Sequence, residues 1–407
     1  MQAHSVILPQ WNMDVIAGLG SASEEPTMTL STVTSLQPSL FDQPTPDRTA
    51  FTIGWDHARH RLTPPPEHLH EGHPVRLGWE AGAAVFAARS LRATLAVRRW
   101  LQLRLASWKA GRSFEDVQLT PRWLAQIDVP ICPVTEARLT QSIGAATDAV
   151  VEHLNPDAAC AAGNLALLSR QASRARAAQG WREAVGLARR AEAQGLEQIE
   201  GLSAAQWMRL AVLISFAQPL PHAAAAALPL LVLPPPRVRL LNPAQTLQVL
   251  VTLRCIRAGQ PARIDELARL FPESARTSFC VFATTLLARQ IAAGPDAGDD
   301  DLRRAMLAAW TQPLVQQRWQ RLALRLSAAQ CESIVQTAVA RGLAAPGMRC
   351  LTLDQATDGW SLDSAGRLPA VITVGASLPE PAPRRALNAT STALRLPSVR
   401  PARRLHA

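Results

Sequence analysis

The sequence predicts an α+β protein that is predominantly α-helical, with a short β appendage near its C-terminal end. Three observations carry this. Helix-start signatures recur along the chain, apolar residues fall at helical spacing, and strand-type residues cluster near residues 350–374. Residues 1–50 are rich in Ser, Thr, Pro and Gln with little periodicity, and read as a disordered leader. A helical region follows at 51–125. In it Val97, Leu101, Leu105 and Trp108 share one helical stripe, Arg98 and Arg99 lie off it, and Gly111 stops the helix.

A larger helical domain is expected at 181–345. Ser203 with Gln206 forms a capping box that opens a helix ended by Pro219. Asn242-Pro243 with Gln245 starts another, proline being suited to the first turn. Ser327 with Gln330 opens a third that runs towards Ala340. The window from Leu210 to Leu233 is strongly apolar, but Gln218, Pro219, Pro221 and His222 interrupt it. A proline-bounded pair of buried helices explains it better than a membrane span. The acidic run Ala293 to Asp301 lacks the ligand spacing of a calcium loop and reads as a solvated turn. A β appendage is expected at 346–378, from Cys350 to Leu353 and Ala370 to Val374. A disordered basic tail follows at 379–407, carrying Arg384, Arg385, Arg395, Arg400, Arg403 and Arg404.

The 407 residues are 48% hydrophobic and 18% charged, which excludes global disorder. A net charge of +10 favours an anionic partner such as nucleic acid or a membrane surface. A coding habit that uses arginine, a single lysine (Lys109) and no tyrosine would give the same excess. None of the six cysteines forms a CxxC pair, so neither a zinc knuckle nor a disulfide framework is expected, and a reducing cytoplasm fits. The N-terminus shows no basic region followed by an apolar one, so no secretory signal is expected.

The most informative stretch runs from Cys132 to Arg176: Cys132-Pro133-Val134-Thr135, then Val151-Glu152-His153-Leu154-Asn155-Pro156, then Gly163-Asn164-Leu165, then Leu167-Leu168-Ser169 and Ala172 to Arg176. Across these residues the chain resembles the HNH, or ββα-metal, endonucleases, and among them the zinc-free variants that begin with a similar CPxT. The resemblance implies a small ββα unit at about 126–180, embedded between the helical regions. By position His153 would be the general base, Glu152 a metal ligand, Asn164 the residue that fixes the hairpin, and Arg174 and Arg176 phosphate contacts. The implied cofactor is a divalent ion, magnesium or manganese, and the implied partner is DNA. Ser173 stands where the second metal ligand is expected, and a neutral hydroxyl is a poor replacement for one. Asp148 or Asp157 could supply an oxygen in its place. Ser169 and Ala172 occupy the usual cysteine positions. The chain is thus read either as a divergent metal-dependent endonuclease or as its catalytically impaired descendant. The alternative is a non-catalytic helical scaffold or adaptor.

Three further signals remain. Gln37-Pro38-Ser39-Leu40-Phe41 resembles the pentapeptide that binds the bacterial sliding clamp, with Gln37, Leu40 and Phe41 as anchors in the leader. His57, His60, His68, His70 and His73 crowd one region, either a polar loop or a metal site. The basic stretch Arg89 to Arg122, interleaved with Trp100, Trp108 and Trp123, suits either a DNA-facing surface, with Arg98 and Arg99 as contacts, or a tryptophan core ringed by solvated arginines.

Overall fold

The computed structural model describes residues 4–7, 46–142, 144–177, 179–256, 261–294, 297–345 and 348–368. The expected clamp-binding pentapeptide at 37–41, the strand-type run Ala370 to Val374 and the basic tail at 379–407 lie outside the described residues. The fold is α+β and predominantly helical, and the described residues pack as one unit.

The leader differs from expectation at both ends. A strand, β1 (His4–Ile7), lies near its start, and α1 (Pro46–Arg59) opens before residue 50. Helix α1 packs on α2 (Pro74–Phe86) at unusually close range. A Cβ at Gly54 would fall 1.9 Å from the Val75 carbonyl oxygen, and one at Gly78 would fall 1.9 Å from that of Phe51. Only hydrogen fits in either place. Helix α3 (Leu95–Lys109) starts on Thr94, whose hydroxyl accepts the Val97 N–H, and ends before Gly111 at a positive φ of 62°. Its stripe is buried at Val97, Leu101 and Leu105, as the spacing predicts. The short α4 (Pro121–Gln126) follows, capped by Thr120.

The strands β2 (Ala149–His153) and β3 (Leu165–Ser169) form an antiparallel hairpin in which Val151 faces Leu167 and His153 faces Leu165. Helix α5 (Arg170–Arg176) follows directly, with Ser169 as its cap, so the three elements make a ββα unit. Strand β3 is buried along its whole length, which suits its run of Leu and Ala.

The helical region holds α6 (Trp181–Gln194), α7 (Ala204–Phe216) and α8 (His222–Ala227), then the two-residue strand β4 (Arg239–Leu240) and α9 (Pro243–Ile256). The apolar window is therefore two helices broken at the prolines, α7 largely buried and α8 buried only at Ala225 and Ala226. Among the described residues, no helix is long and apolar enough to cross a membrane. Helix α9 is the axle of this region, buried on every side from Ala244 to Ile256. Its polar groups are paired inside: Gln245 donates to the Ser215 hydroxyl at 2.7 Å, and Gln248 donates to the Leu228 carbonyl at 2.8 Å. Around it lie α10 (Pro261–Ala268), α11 (Glu273–Ala292), α12 (Asp299–Ala309), α13 (Pro313–Ala323) and α14 (Ala328–Ala340). Phe282, Trp310 and Trp319 form their aromatic contact, with centroids 5.4–5.7 Å apart. The capping boxes Ser203/Gln206 and Ser327/Gln330 are both present. Asp299 to Asp301 are the first turn of α12, where acids favour the helix dipole.

The appendage is mixed rather than all β. Strand β5 (Arg349–Thr352) is followed at once by a helical turn, α15 (Leu353–Ala356), because Thr352 and Gln355 form another capping box. Strand β1 sits between β4 and β5 and pairs antiparallel with each, so a sheet joins three distant parts of the chain.

Alanine substitutions separate the two kinds of helical glycine. Gly78→Ala should lower stability by about 1–3 kcal/mol through overpacking. Gly186→Ala, in α6 with open space around its Cα, should raise it by up to about 1 kcal/mol. Urea unfolding midpoints check both, and a raised midpoint for Gly78→Ala would contradict the close crossing.

Candidate functional site

The ββα unit is built around an eleven-residue connection between β2 and β3, and Asn164 holds it closed. Its side chain is fully buried. Oδ1 accepts the Asn155 N–H at 2.7 Å, and Nδ2 donates to the carbonyls of Asn155 and Ala159 at 3.0 and 3.1 Å. The main chain adds a bond from the Leu154 N–H to the Asn164 carbonyl at 2.8 Å. A carboxamide suits this place because it offers an acceptor and two donors on one rigid plane. Gly163 precedes it at φ 91°, and a Cβ there would lie 2.3 Å from the Arg239 side chain.

The rest of the protein also grips this connection. Arg112 donates to the carbonyls of Pro156 and Ala158 at 2.8 and 2.6 Å. The Trp360 indole donates to the Ala162 carbonyl at 3.0 Å, and the Cys160 N–H donates to the Ser113 carbonyl at 2.9 Å.

At the end of β2 the structure brings Glu152, Ser173 and Arg176 together. The Ser173 hydroxyl donates to Oε1 of Glu152. Nη1 of Arg176 donates to its Oε2 at 3.2 Å, while Nη2 donates to the Leu154 carbonyl at 3.1 Å. Arg176 is only 3% exposed, so it cannot face a phosphate from the surface as expected of it. It turns inward because α5 is short and its last turn lies over the hairpin, where the carboxylate meets it. Burial lowers its pKa, and Glu152 works against that shift.

His153 is the next residue along and, by strand alternation, leaves the opposite face. The residue keeps partial exposure, but its Nε2 is sealed from solvent with no partner. Burial, with the charges of Arg112 and Arg176 added, pushes its pKa down to about 3. It is therefore neutral at physiological pH. A base of such low proton affinity is poorly matched to abstracting a proton there, since general bases work best with pKa near the operating pH.

Neither alternative oxygen reaches this point. Asp148 is buried at the far end of β2, where it accepts from Ser142 and Thr140 at 2.7 and 2.9 Å. Asp157 is exposed and lies in an Asx turn headed by Asn155. Among the described residues no three His, Cys, Asp or Glu side chains converge as a ligand set for a metal. That holds for the histidine cluster too. The rings of His68, His70 and His73 pack on one another at 4.6–5.1 Å, and Trp108 lies against His68 and His73. The donor set at Glu152 does not fit magnesium or manganese. One carboxylate is present, both its oxygens are engaged, and the third member is already a cation.

The lead-in turn has its own logic. The backbone N–H groups of Thr135 and Ser169 point at Sγ of Cys132, at 3.5 and 3.3 Å, and the Thr135 and Ser169 hydroxyls lie 3.2 Å apart. Burial pushes the Cys132 thiol up, but bonds from Ser169 and Thr135 outweigh it and leave its pKa below the ordinary value.

The expected phosphate contacts divide. Arg174 and Arg98 are exposed, whereas Arg99 is held by Asp128 at 2.9 Å and braces α3. On the basic stretch Trp100, Trp108 and Trp123 are half-buried, and one of the arginines is not solvated. Arg104 is buried over the Trp100 ring and paired with Asp56, while the Trp100 indole donates to the Leu119 carbonyl at 2.9 Å. Sequence reasoning missed Arg112 and Trp360, whose roles depend on contacts far along the chain. Comparison with protein-family models, curated proteins and solved structures returns no match to this chain.

The depressed histidine has a measurable consequence. Folded His153 stays neutral down to about pH 3, whereas the unfolded chain takes up the proton near 6.5. Between those values the unfolded state binds more protons, so this contribution is whole above pH 6.5 and is lost as the pH falls. His153→Gln should reduce the fall in unfolding free energy by up to about 1.4 kcal/mol per pH unit in that window. Urea titrations across the window check it, and an unchanged slope would contradict a sealed, neutral His153.

Proposed function

We propose that this is a DNA-associated protein whose ββα unit is a catalytically impaired descendant of the HNH endonucleases, binding the phosphate backbone without cutting it. The observation that carries this reading is the Arg176–Glu152–Ser173 cluster. In the HNH scheme Glu152 would hold a divalent ion. Here its carboxylate is engaged by a buried guanidinium and a hydroxyl. A second cation beside Arg176 would meet like-charge repulsion, and displacing the guanidinium would strand a buried charge. The hairpin with Asn164 is retained, which supports a unit kept for its shape.

DNA is favoured as the partner by the net charge of +10 and by the exposed guanidiniums of Arg98 and Arg174. Guanidinium is well matched to phosphate oxygens through paired N–H donors. The second reading, a helical scaffold, draws on the way α9 is enclosed: its polar groups face inward to structural partners, with no chemistry attached.

Binding of duplex DNA in low salt with EDTA present tests the proposal. Wild type should shift the duplex without metal, and Arg174→Glu with Arg98→Glu should weaken it severalfold and flatten the salt dependence by about one unit per lost contact. Absence of duplex binding would favour the scaffold. Magnesium-dependent plasmid nicking lost in His153→Ala would instead restore the endonuclease.

A further inference from the structure

A cleft of about 570 Å³ opens beside the ββα unit, between the start of α1, the end of α3, the segment after it and the turn near Ser364. Four guanidiniums line it: Arg48, Arg104, Arg112 and Arg367. Leaving Arg48 aside, Asp56 offsets Arg104, and among the described lining residues Asp116 is the acid set against Arg112 and Arg367. The cleft therefore carries a net positive charge.

The arginines are not equivalent. Arg104 is neutralised by Asp56. Arg112 donates through Nη1 to two neutral carbonyls, which fixes it in place, and among the described residues no acid forms an ion pair with it. That charge reaches His153, whose pKa it helps to depress. Arg367 is exposed, and its main chain bridges to that of Arg112, which sets the two side by side at one wall. Trp108 and Phe114 supply aromatic surface in the same cleft.

We propose that this cleft holds one strand of nucleic acid, with Arg112 and Arg367 on a backbone phosphate and the aromatic side against a base. A preorganised guanidinium is the expected partner of a phosphodiester, and stacking on aromatic rings is how single strands are held without sequence preference. The volume falls within the roughly 300–1,000 Å³ of sites that enclose a small organic ligand. It suits a nucleotide and is too small for a duplex. The proposal rests on the reading of the protein as DNA-associated, and adds the strand-binding site to it.

The test is fluorescence anisotropy of the full chain with a labelled single-stranded oligonucleotide of about ten nucleotides, a site size typical of such grooves. Arg367→Glu should raise Kd about tenfold and reduce the salt slope by about one. Arg321→Glu, an exposed arginine on α13 with the same charge change, should have little effect. Equal effects of the two variants would overturn the cleft. Wild type that binds duplex but not the strand would also overturn it, leaving the ββα reading intact. Binding of neither would sink both. Displacement of the strand by adenosine monophosphate at an affinity matching the strand's own would make the ligand a free nucleotide and overturn strand binding.

Discussion

A buried guanidinium needs a carboxylate, and in this protein that requirement organises the ββα unit. Arg176 reaches Glu152 on β2 and the Leu154 carbonyl just beyond it, so one side chain ties the last turn of α5 to the end of the hairpin. Removing one partner from such a pair costs about 3–5 kcal/mol, because the other charge is left buried alone. Ser173 completes the arrangement from the same helix face, three residues earlier. In metal-dependent nucleases a divalent ion would stabilise charge on the scissile phosphate. Here a fixed organic cation neutralises the acid and stays with it.

The second constraint is the connection between β2 and β3. An irregular segment whose polar backbone is enclosed must find partners for every N–H and C=O. Asn164 satisfies its inner groups, while Arg112, Ser113 and Trp360 satisfy its outer ones. Those partners come from the region before the unit and from the segment near residue 360. The unit is therefore embedded in the protein and not appended to it. The same arrangement fixes Arg112, which bonds to the connection through Nη1 and also lines the cleft.

Much of this was legible in the sequence where the determinants are local. The capping residues Ser203 and Ser327 announce helices within a few positions, and the stripe Val97–Leu101–Leu105 announces its buried face. The strands of the hairpin lie where Val151 to His153 and Leu165 to Ser169 stand in the stretch from Cys132 to Arg176. Long-range determinants were not legible. Arg176 and Arg174 look alike in sequence, and only the lie of a short helix over the hairpin turns one inward. Strand β1 takes its place from partners more than two hundred residues away, so no local signal marks it. Arg99 reads as a surface cation until Asp128 is folded against it. The cleft gathers arginines from three separate stretches, and nothing in their spacing joins them.

In the proposed reading, Arg176 holds the Glu152 carboxylate that a divalent ion would need. Electron paramagnetic resonance of manganese, titrated into the full chain at neutral pH, tests it most directly. The spectrum should remain that of the hydrated ion, with no protein-bound fraction that depends on Glu152. One manganese bound per chain and lost on Glu152→Gln would contradict the account.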